Sequence, residues 1–156
     1  MTDGRLFFGS FTIDRRFDAR PERVFRAFTD RAVKQAWLGC EAVSAPAIEQ
    51  LDFRIGGREV SRGGGQGGAE HLFEGQYLDI VDGRRFVFAF VMHVGGRKLS
   101  ASIASVEILP DGDGARLIFN EQGVYFGEDG WAEREEGTAF GMDQLALWLA
   151  SAKETA

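Results

Sequence analysis

Apolar and polar residues alternate along most of the chain, which is the spacing of half-buried β-strands. The first such segment is 6–17, in which Phe7, Phe11, Ile13 and Phe17 share one face. Later alternating segments are separated by glycine-containing turns, and this succession of hairpins predicts an antiparallel sheet. We predict the further strands at residues 47–55, 58–62, 70–81, 84–93, 97–109 and 115–123, with Pro110 ending the sixth of the seven strands.

Three stretches have helical spacing instead. Pro21 suits the first turn of a helix that runs to Thr29, and Asp30 suits the N-cap of a second short helix at 31–38. From residue 130 to 152 apolar residues recur every three or four positions, which predicts a long amphipathic helix. Its apolar stripe, which includes Thr138, Met142, Leu145 and Leu149, needs a surface to pack on, and the concave face of the sheet is available.

These elements predict one α+β domain over residues 1–156, with a curved antiparallel sheet of about six or seven strands, two short helices and a long C-terminal helix. The sheet and that helix should enclose an apolar pocket, because Gly141 thins the helix above the sheet centre. The glycine-rich stretch 63–68 is predicted to be a flexible hairpin connection. It is not a phosphate-binding loop, since no Lys-Ser or Lys-Thr pair follows it.

Strand alternation also predicts which side chains point inward. The bulky face of strand 84–93 should meet the long helix, and the small residues on one face of strand 97–109 should leave room for a pocket. Phe119 and Glu121 share a face of the last strand, so Glu121 should point into the interior. The residues predicted to line the pocket are Trp37, Phe73, Phe88, Phe90, Met92, Ser102, Phe119, Glu121, Tyr125, Gly141, Met142 and Leu145.

A carboxylate in that interior is costly unless it is paired or hydrogen-bonded. Glu121 is therefore a candidate polar anchor or proton acceptor for a ligand, and the only candidate catalytic residue. The alternative is a structural carboxylate held by Tyr125, Arg54 or a water molecule. Trp37 and Tyr125 are candidate rim residues, or else ordinary core aromatics.

The amino-acid composition limits the classes of ligand and partner that the protein is expected to bind. The chain has 14 phenylalanines but 2 tyrosines and 3 tryptophans, which favours a core or cavity lined by purely apolar rings. The net charge of −6 argues against a nucleic-acid partner. No segment is long and apolar enough to span a membrane and no signal peptide is visible, so together with the lone Cys40 we expect a cytoplasmic protein without a membrane partner. His71 and His93 lack ligand spacing, so we expect no metal, and no cofactor is predicted.

Several short motifs, in this order and spacing, resemble one known family. They are FDARPERVF at 17–25, AWL at 36–38, DFRIGGR at 52–58, FEG at 73–75, RKLSAS at 97–102, ARL at 115–117, EQG at 121–123 and REEGT at 134–138. With the order of elements, they resemble the START-like (SRPBCC, helix-grip) superfamily, and within it the branch related to the activator of heat-shock protein 90 ATPase. The resemblance covers almost the whole chain and implies the helix-grip fold.

The resemblance leaves three functions open, because relatives include lipid carriers, polyketide cyclases or dehydratases, and co-chaperone domains. The first hypothesis is a stand-alone carrier or sensor of a small hydrophobic or amphipathic molecule. The second is a cyclase- or dehydratase-like enzyme that uses Glu121 as general base, with Tyr125 or a histidine assisting. The third is a chaperone-interacting stress-response protein. A homodimer formed through Phe140 and Leu147 is a further hypothesis, the alternative being that the loop 123–129 covers Phe140.

Overall fold

A computed structural model describes residues 4–40, 42, 45–63 and 68–151. Seven strands and three helices follow one another along the chain. Their bounds are β1 Leu6–Phe17, α1 Pro21–Thr29, α2 Arg31–Leu38, β2 Pro46–Leu51, β3 Arg58–Gly63, β4 His71–Val81, β5 Arg85–Val94, β6 Arg97–Asp111, β7 Gly114–Phe126 and α3 Trp131–Ser151.

The strands form one antiparallel sheet in the order β1-β7-β6-β5-β4-β3-β2. β2 to β7 are paired as successive hairpins, whereas β1, the first strand of the chain, pairs with β7, the last. The α+β class, the antiparallel sheet and the two short helices after the first strand are confirmed. The Asp30 side chain caps α2 as predicted, because it accepts a hydrogen bond from the Val33 amide at 3.1 Å. The central residues of the predicted connection 63–68 lie outside the described residues.

Three predicted strand bounds were wrong. β2 ends at Leu51 rather than residue 55, and β7 continues to Phe126 rather than residue 123. β6 runs through Pro110 to Asp111. The Ile108 amide donates to the carbonyl of Arg84, the residue before β5. The nitrogen of Pro110 faces the same side but lies beyond Arg85, the first residue of β5. A proline there removes no ladder hydrogen bond.

Helix α3 lies against the concave face of the sheet. Its Met142, Leu145 and Leu149 side chains are buried, and Leu145 has no exposed surface. They belong to one core cluster with Ile108 and Leu117 of the sheet. The predicted apolar stripe is therefore confirmed. Among the described residues, no helix is long and apolar enough to cross a lipid bilayer.

Candidate functional site

A cavity of about 470 Å³ lies between the concave face of the sheet, α2 and α3. This volume falls in the range of small-molecule binding sites, roughly 300–1,000 Å³. α3 leaves the space open at Gly141, where the nearest side-chain atom to an added Cβ would be on the Trp37 ring at 4.0 Å. Trp37 is itself held in place by a hydrogen bond of 2.7 Å from its indole nitrogen to the Ala27 carbonyl. The cavity thus has a wide point in one wall and a fixed aromatic ring facing it.

The floor of the cavity is aromatic. Phe86, Phe88 and Phe90 alternate along β5, and neighbouring rings in this series stack with centroids 5.9 and 5.7 Å apart. Phe73 of β4 stacks on Phe90 at 4.8 Å. The period of two in the strand places these rings on the same side, so the floor follows directly from the sequence of β5.

The first polar group in the cavity wall is an ion pair between β7 and α3. Glu121 is 1% exposed, and its Oε2 atom accepts hydrogen bonds from Arg134 at 2.5 Å and from the Ser102 hydroxyl at 2.7 Å. Arg134 also donates to the Ser100 hydroxyl at 2.6 Å, and its guanidinium lies over the rings of Phe90 and Tyr125. The pair satisfies the charge of a carboxylate that burial would otherwise disfavour.

The second polar group is an ion pair between α2 and β3. The Lys34 ammonium lies 2.6 Å from Oε2 of Glu59, and the Tyr77 hydroxyl donates a hydrogen bond to Oε1 of the same carboxylate. Glu59 and Tyr77 are buried. Burial, together with the adjacent Glu59 carboxylate, raises the pKa of the Tyr77 hydroxyl. Tyr77 therefore remains a neutral donor.

Two aromatic residues, Tyr125 and Trp131, pack next to Arg134. The indole nitrogen of Trp131 donates to the Phe7 carbonyl at 2.8 Å, and its ring packs edge-on against Tyr125. Gly9 of β1 leaves the space for this ring, because an added Cβ would lie 2.5 Å from it. Burial raises the pKa of the Tyr125 hydroxyl.

A smaller pocket lies on the other side of Arg134 from the cavity. It is lined by Tyr125, Glu133 and His71, and Arg134 borders both spaces.

Nine of the twelve residues predicted to line the pocket border the cavity. They are Trp37, Phe73, Phe88, Phe90, Met92, Phe119, Glu121, Gly141 and Met142. The other three lie beside it: Ser102 holds Glu121, Tyr125 borders the outer pocket, and Leu145 is in the core. A ligand-binding role for these residues remains a prediction.

The expected partners of Glu121 were partly wrong. Arg54 pairs with Asp52 at 2.8 Å, and its side chain is 71% exposed, because β2 ends before it and the following turn carries it into solvent. The partners are Arg134 and Ser102. Tyr125 acts on the pair through Arg134, whose guanidinium lies 5.0 Å from the centre of its ring.

Several cavity residues were absent from the predicted set: Lys34, Glu59, Ser61, Tyr77 and Arg134. Helical spacing could have identified the two cations. Lys34 lies three residues before Trp37 on α2, and Arg134 lies four before Thr138 on α3. Tyr77 follows Phe73 at an even spacing on β4.

The remaining candidates lie apart from these groups. Among the described residues, no three His, Cys, Asp or Glu side chains lie close enough together to hold a metal ion. His93 lies on the outer face of β5, 3.8 Å from Glu74. Phe140 and Leu147 of α3 are 47% and 49% exposed, and Phe140 borders the mouth of the cavity. Dimerisation through them remains a prediction.

Solved structures with the same fold support this architecture. The Mll3558 protein from Rhizobium loti is 41% identical, with a TM-score of 0.81 over 92% of this chain and 98% of that one. A protein from Rhizobium leguminosarum is 30% identical, with a TM-score of 0.84 over 94% and 97% of the two chains. The CV1439 protein from Chromobacterium violaceum is 26% identical, with a TM-score of 0.74 over 88% and 94%. No curated protein matches the chain in sequence.

The family comparison covers most of the molecule. The model of the "Activator of Hsp90 ATPase homolog 1-like protein" family matches residues 18–151, which include both ion pairs and all three helices. The chain therefore belongs to this family, within the START-like, helix-grip superfamily that its sequence motifs resemble.

Proposed function

We propose that the protein binds one small hydrophobic or amphipathic molecule in the cavity under α3, as a stand-alone carrier or sensor. The observation that carries this proposal is the combination of an aromatic floor with two ion pairs in the wall of one cavity. An apolar floor favours the body of such a ligand, and a few fixed polar groups orient it.

The contacts of Glu121 favour binding over general-base catalysis. Its Oε2 atom already accepts hydrogen bonds from the Arg134 guanidinium and the Ser102 hydroxyl, so that atom is occupied within the protein. The second buried carboxylate, Glu59, belongs to another ion pair on a different strand. A cyclase-like reaction needs two polar groups that converge on one reacting atom. The two ion pairs offer instead separate contacts for two parts of a ligand.

The first experiment is native mass spectrometry of the protein purified gently from its own cells. We expect a co-purifying small molecule in a one-to-one complex. The second experiment uses the neutral dye Nile red, whose emission shifts to the blue in an apolar site. One equivalent of dye should bind.

A cavity-filling variant locates the bound dye. Gly141→Leu places a side chain in the open space and should weaken Nile red binding by at least about tenfold, since a well-packed group would occupy the ligand's volume. Ala150→Leu, at an exposed position of the same helix, is the matched control and should bind like the unmodified protein. If neither a co-purifying molecule nor dye binding is found, or if Gly141→Leu binds dye normally, the proposal is wrong.

A further inference from the structure

We infer that the ligand is an uncharged, elongated molecule with a hydrogen-bonding group at each end, a hydroxyl or a carbonyl toward Lys34 and a hydroxyl toward Glu121. This inference rests on the proposed binding function and specifies the chemical class of the ligand. It follows from where the two ion pairs lie, from their charge balance and from the hydrogen-bonding capacity that they leave unused.

The two ion pairs lie on opposite sides of the aromatic floor. Glu59 is on β3 and Glu121 is on β7, and β5, which carries Phe88 and Phe90, is midway between them in the sheet. In the strand register Glu59 aligns through Gly75 with Phe90, and Glu121 aligns through Ala104 with Phe88. Four strand spacings separate the pairs, or roughly 19 Å along the curved sheet. A molecule that contacts both must be elongated and apolar in the middle.

Each end of the cavity is already electrically balanced. One end holds the cation of Lys34 and the anion of Glu59, and the other holds Arg134 and Glu121. All four side chains are 16% exposed or less. Besides these four, the described residues that line the cavity include no Lys, Arg, Asp or Glu side chain, and His71 is the only histidine among them. A ligand carboxylate or ammonium would add a charge to these balanced pairs, and a buried unpaired charge is strongly disfavoured. The site therefore selects against fatty acids and amines.

Both ends retain unused hydrogen-bonding capacity. An ammonium has three N–H donors, and among the residues that the structure describes the Lys34 ammonium donates only to Glu59. Ser61 is 8% exposed and borders the cavity next to Glu59, yet its hydroxyl makes no hydrogen bond within the described part of the chain. At the opposite end, both bonds to Glu121 go to Oε2, so Oε1 is without a donor from any described residue. These residues line the cavity, where a ligand could complete their hydrogen bonds. A ligand hydroxyl or carbonyl can accept from Lys34, whereas Oε1 of Glu121 requires a donor, which a ligand hydroxyl supplies.

The test compares twelve-carbon chains that differ only at their ends. The set consists of the α,ω-diol, lauryl alcohol, laurate and laurylamine, each measured by displacement of Nile red and by calorimetry. We expect the diol to bind at least about tenfold more tightly than laurate or laurylamine, since hydrogen bonds to charged groups are the stronger class. The six-carbon diol, which is too short to contact both ends, should lose this advantage.

Variants of the protein test whether the ion pairs, rather than differences in the hydration of the free ligands, cause the difference in affinity. The ratio of diol to lauryl alcohol affinity should fall about tenfold in Lys34→Met/Glu59→Gln/Ser61→Ala and in Glu121→Met/Arg134→Met, each of which removes one ion pair as a unit. Arg62→Met/Glu49→Gln removes an exposed pair between β3 and β2 and is the matched control; its ratio should not change.

The outcomes distinguish this inference from the proposed function. Normal dye binding with laurate or laurylamine as tight as the diol, or with an unchanged affinity ratio in both multiple variants, would overturn the inference and leave the binding function standing. Absence of binding by the dye and by every chain would overturn both.

Discussion

The two buried ion pairs have the same charges but are satisfied in different ways. At Glu59 both carboxylate oxygens are occupied, one by Lys34 and one by Tyr77, and the cation has spare donors. At Glu121 both donors share one oxygen, and the cation is the fixed partner because it also contacts Ser100 and two aromatic rings. One pair therefore holds its anion rigidly and the other its cation. This difference predicts unequal responses when each cation is removed.

Loss of Arg134 should have the largest effect. Arg134→Met leaves Glu121, which is 1% exposed, with the Ser102 hydroxyl as its remaining side-chain donor. We expect the free energy of unfolding to fall by about 3–5 kcal/mol, the usual cost of an uncompensated buried charge. Urea denaturation followed by circular dichroism measures this change.

Two further variants sharpen that measurement. Glu121→Met/Arg134→Met removes both charges and should recover most of the lost stability. Arg116→Met removes a cation whose partner, Asp14, lies at the surface, and it should leave the urea midpoint unchanged within error. Equal destabilisation by the Arg116 and Arg134 variants would show that burial does not distinguish these pairs.

Loss of Lys34 should have a smaller effect. In Lys34→Met the Tyr77 hydroxyl still donates to Glu59, and the Glu59 side chain is 7% exposed against 2% for Glu121. We expect the free energy of unfolding to fall by about 1–3 kcal/mol, the range for a weakened buried polar contact. The same urea experiment compares the two single variants directly, and a larger loss for Lys34→Met would reverse the proposed ranking.

The pH dependence of the free energy of unfolding should reveal the raised pKa of the Tyr77 hydroxyl. Its pKa in the folded protein is raised above the ordinary value of 10.0, so above that pH the unfolded chain loses this proton while the folded chain keeps it. The stabilising contribution is complete below pH 10 and is lost as the pH rises further, by at most about 1.4 kcal/mol per pH unit for one group. Tyr77→Phe should remove this component, so the difference between the two proteins isolates it. Parallel stability curves from pH 9 to 11 would contradict the prediction.

The fold could be predicted from the sequence because its signals are local. The alternation in β5, the cap at Asp30 and the stripe of α3 are each decided by neighbouring residues, and the structure confirms all three. The ends of the strands were harder to predict. β6 continues through Pro110 only because β5 does not extend that far: Arg85, the first residue of β5, pairs with Glu107. This is a property of a neighbouring strand and not of the local sequence.

The polar half of the site was only partly predictable. Glu121 follows from strand alternation, but its partner Arg134 depends on how α3 lies across the sheet. Glu59 and Ser61 alternate with Arg58 and Val60 in a short strand, so its pattern alone does not show which face is inward. The inward face of β3 is fixed by contacts with other elements, because Lys34 of α2 and Tyr77 of β4 both bind Glu59.

The pairing of β1 with β7 has a consequence for biosynthesis. Phe17 pairs with Ala115, and Leu6 pairs with Phe126, so about a hundred residues separate the partners along the chain. At ribosomal rates of about 5–20 residues per second, β1 emerges roughly 5–20 s before β7 can cover its hydrogen-bonding edge. During this interval Phe11 and Phe17 are without the strand and helix that bury them. Productive folding in the cell thus requires β1 to remain unaggregated until β7 has been synthesised.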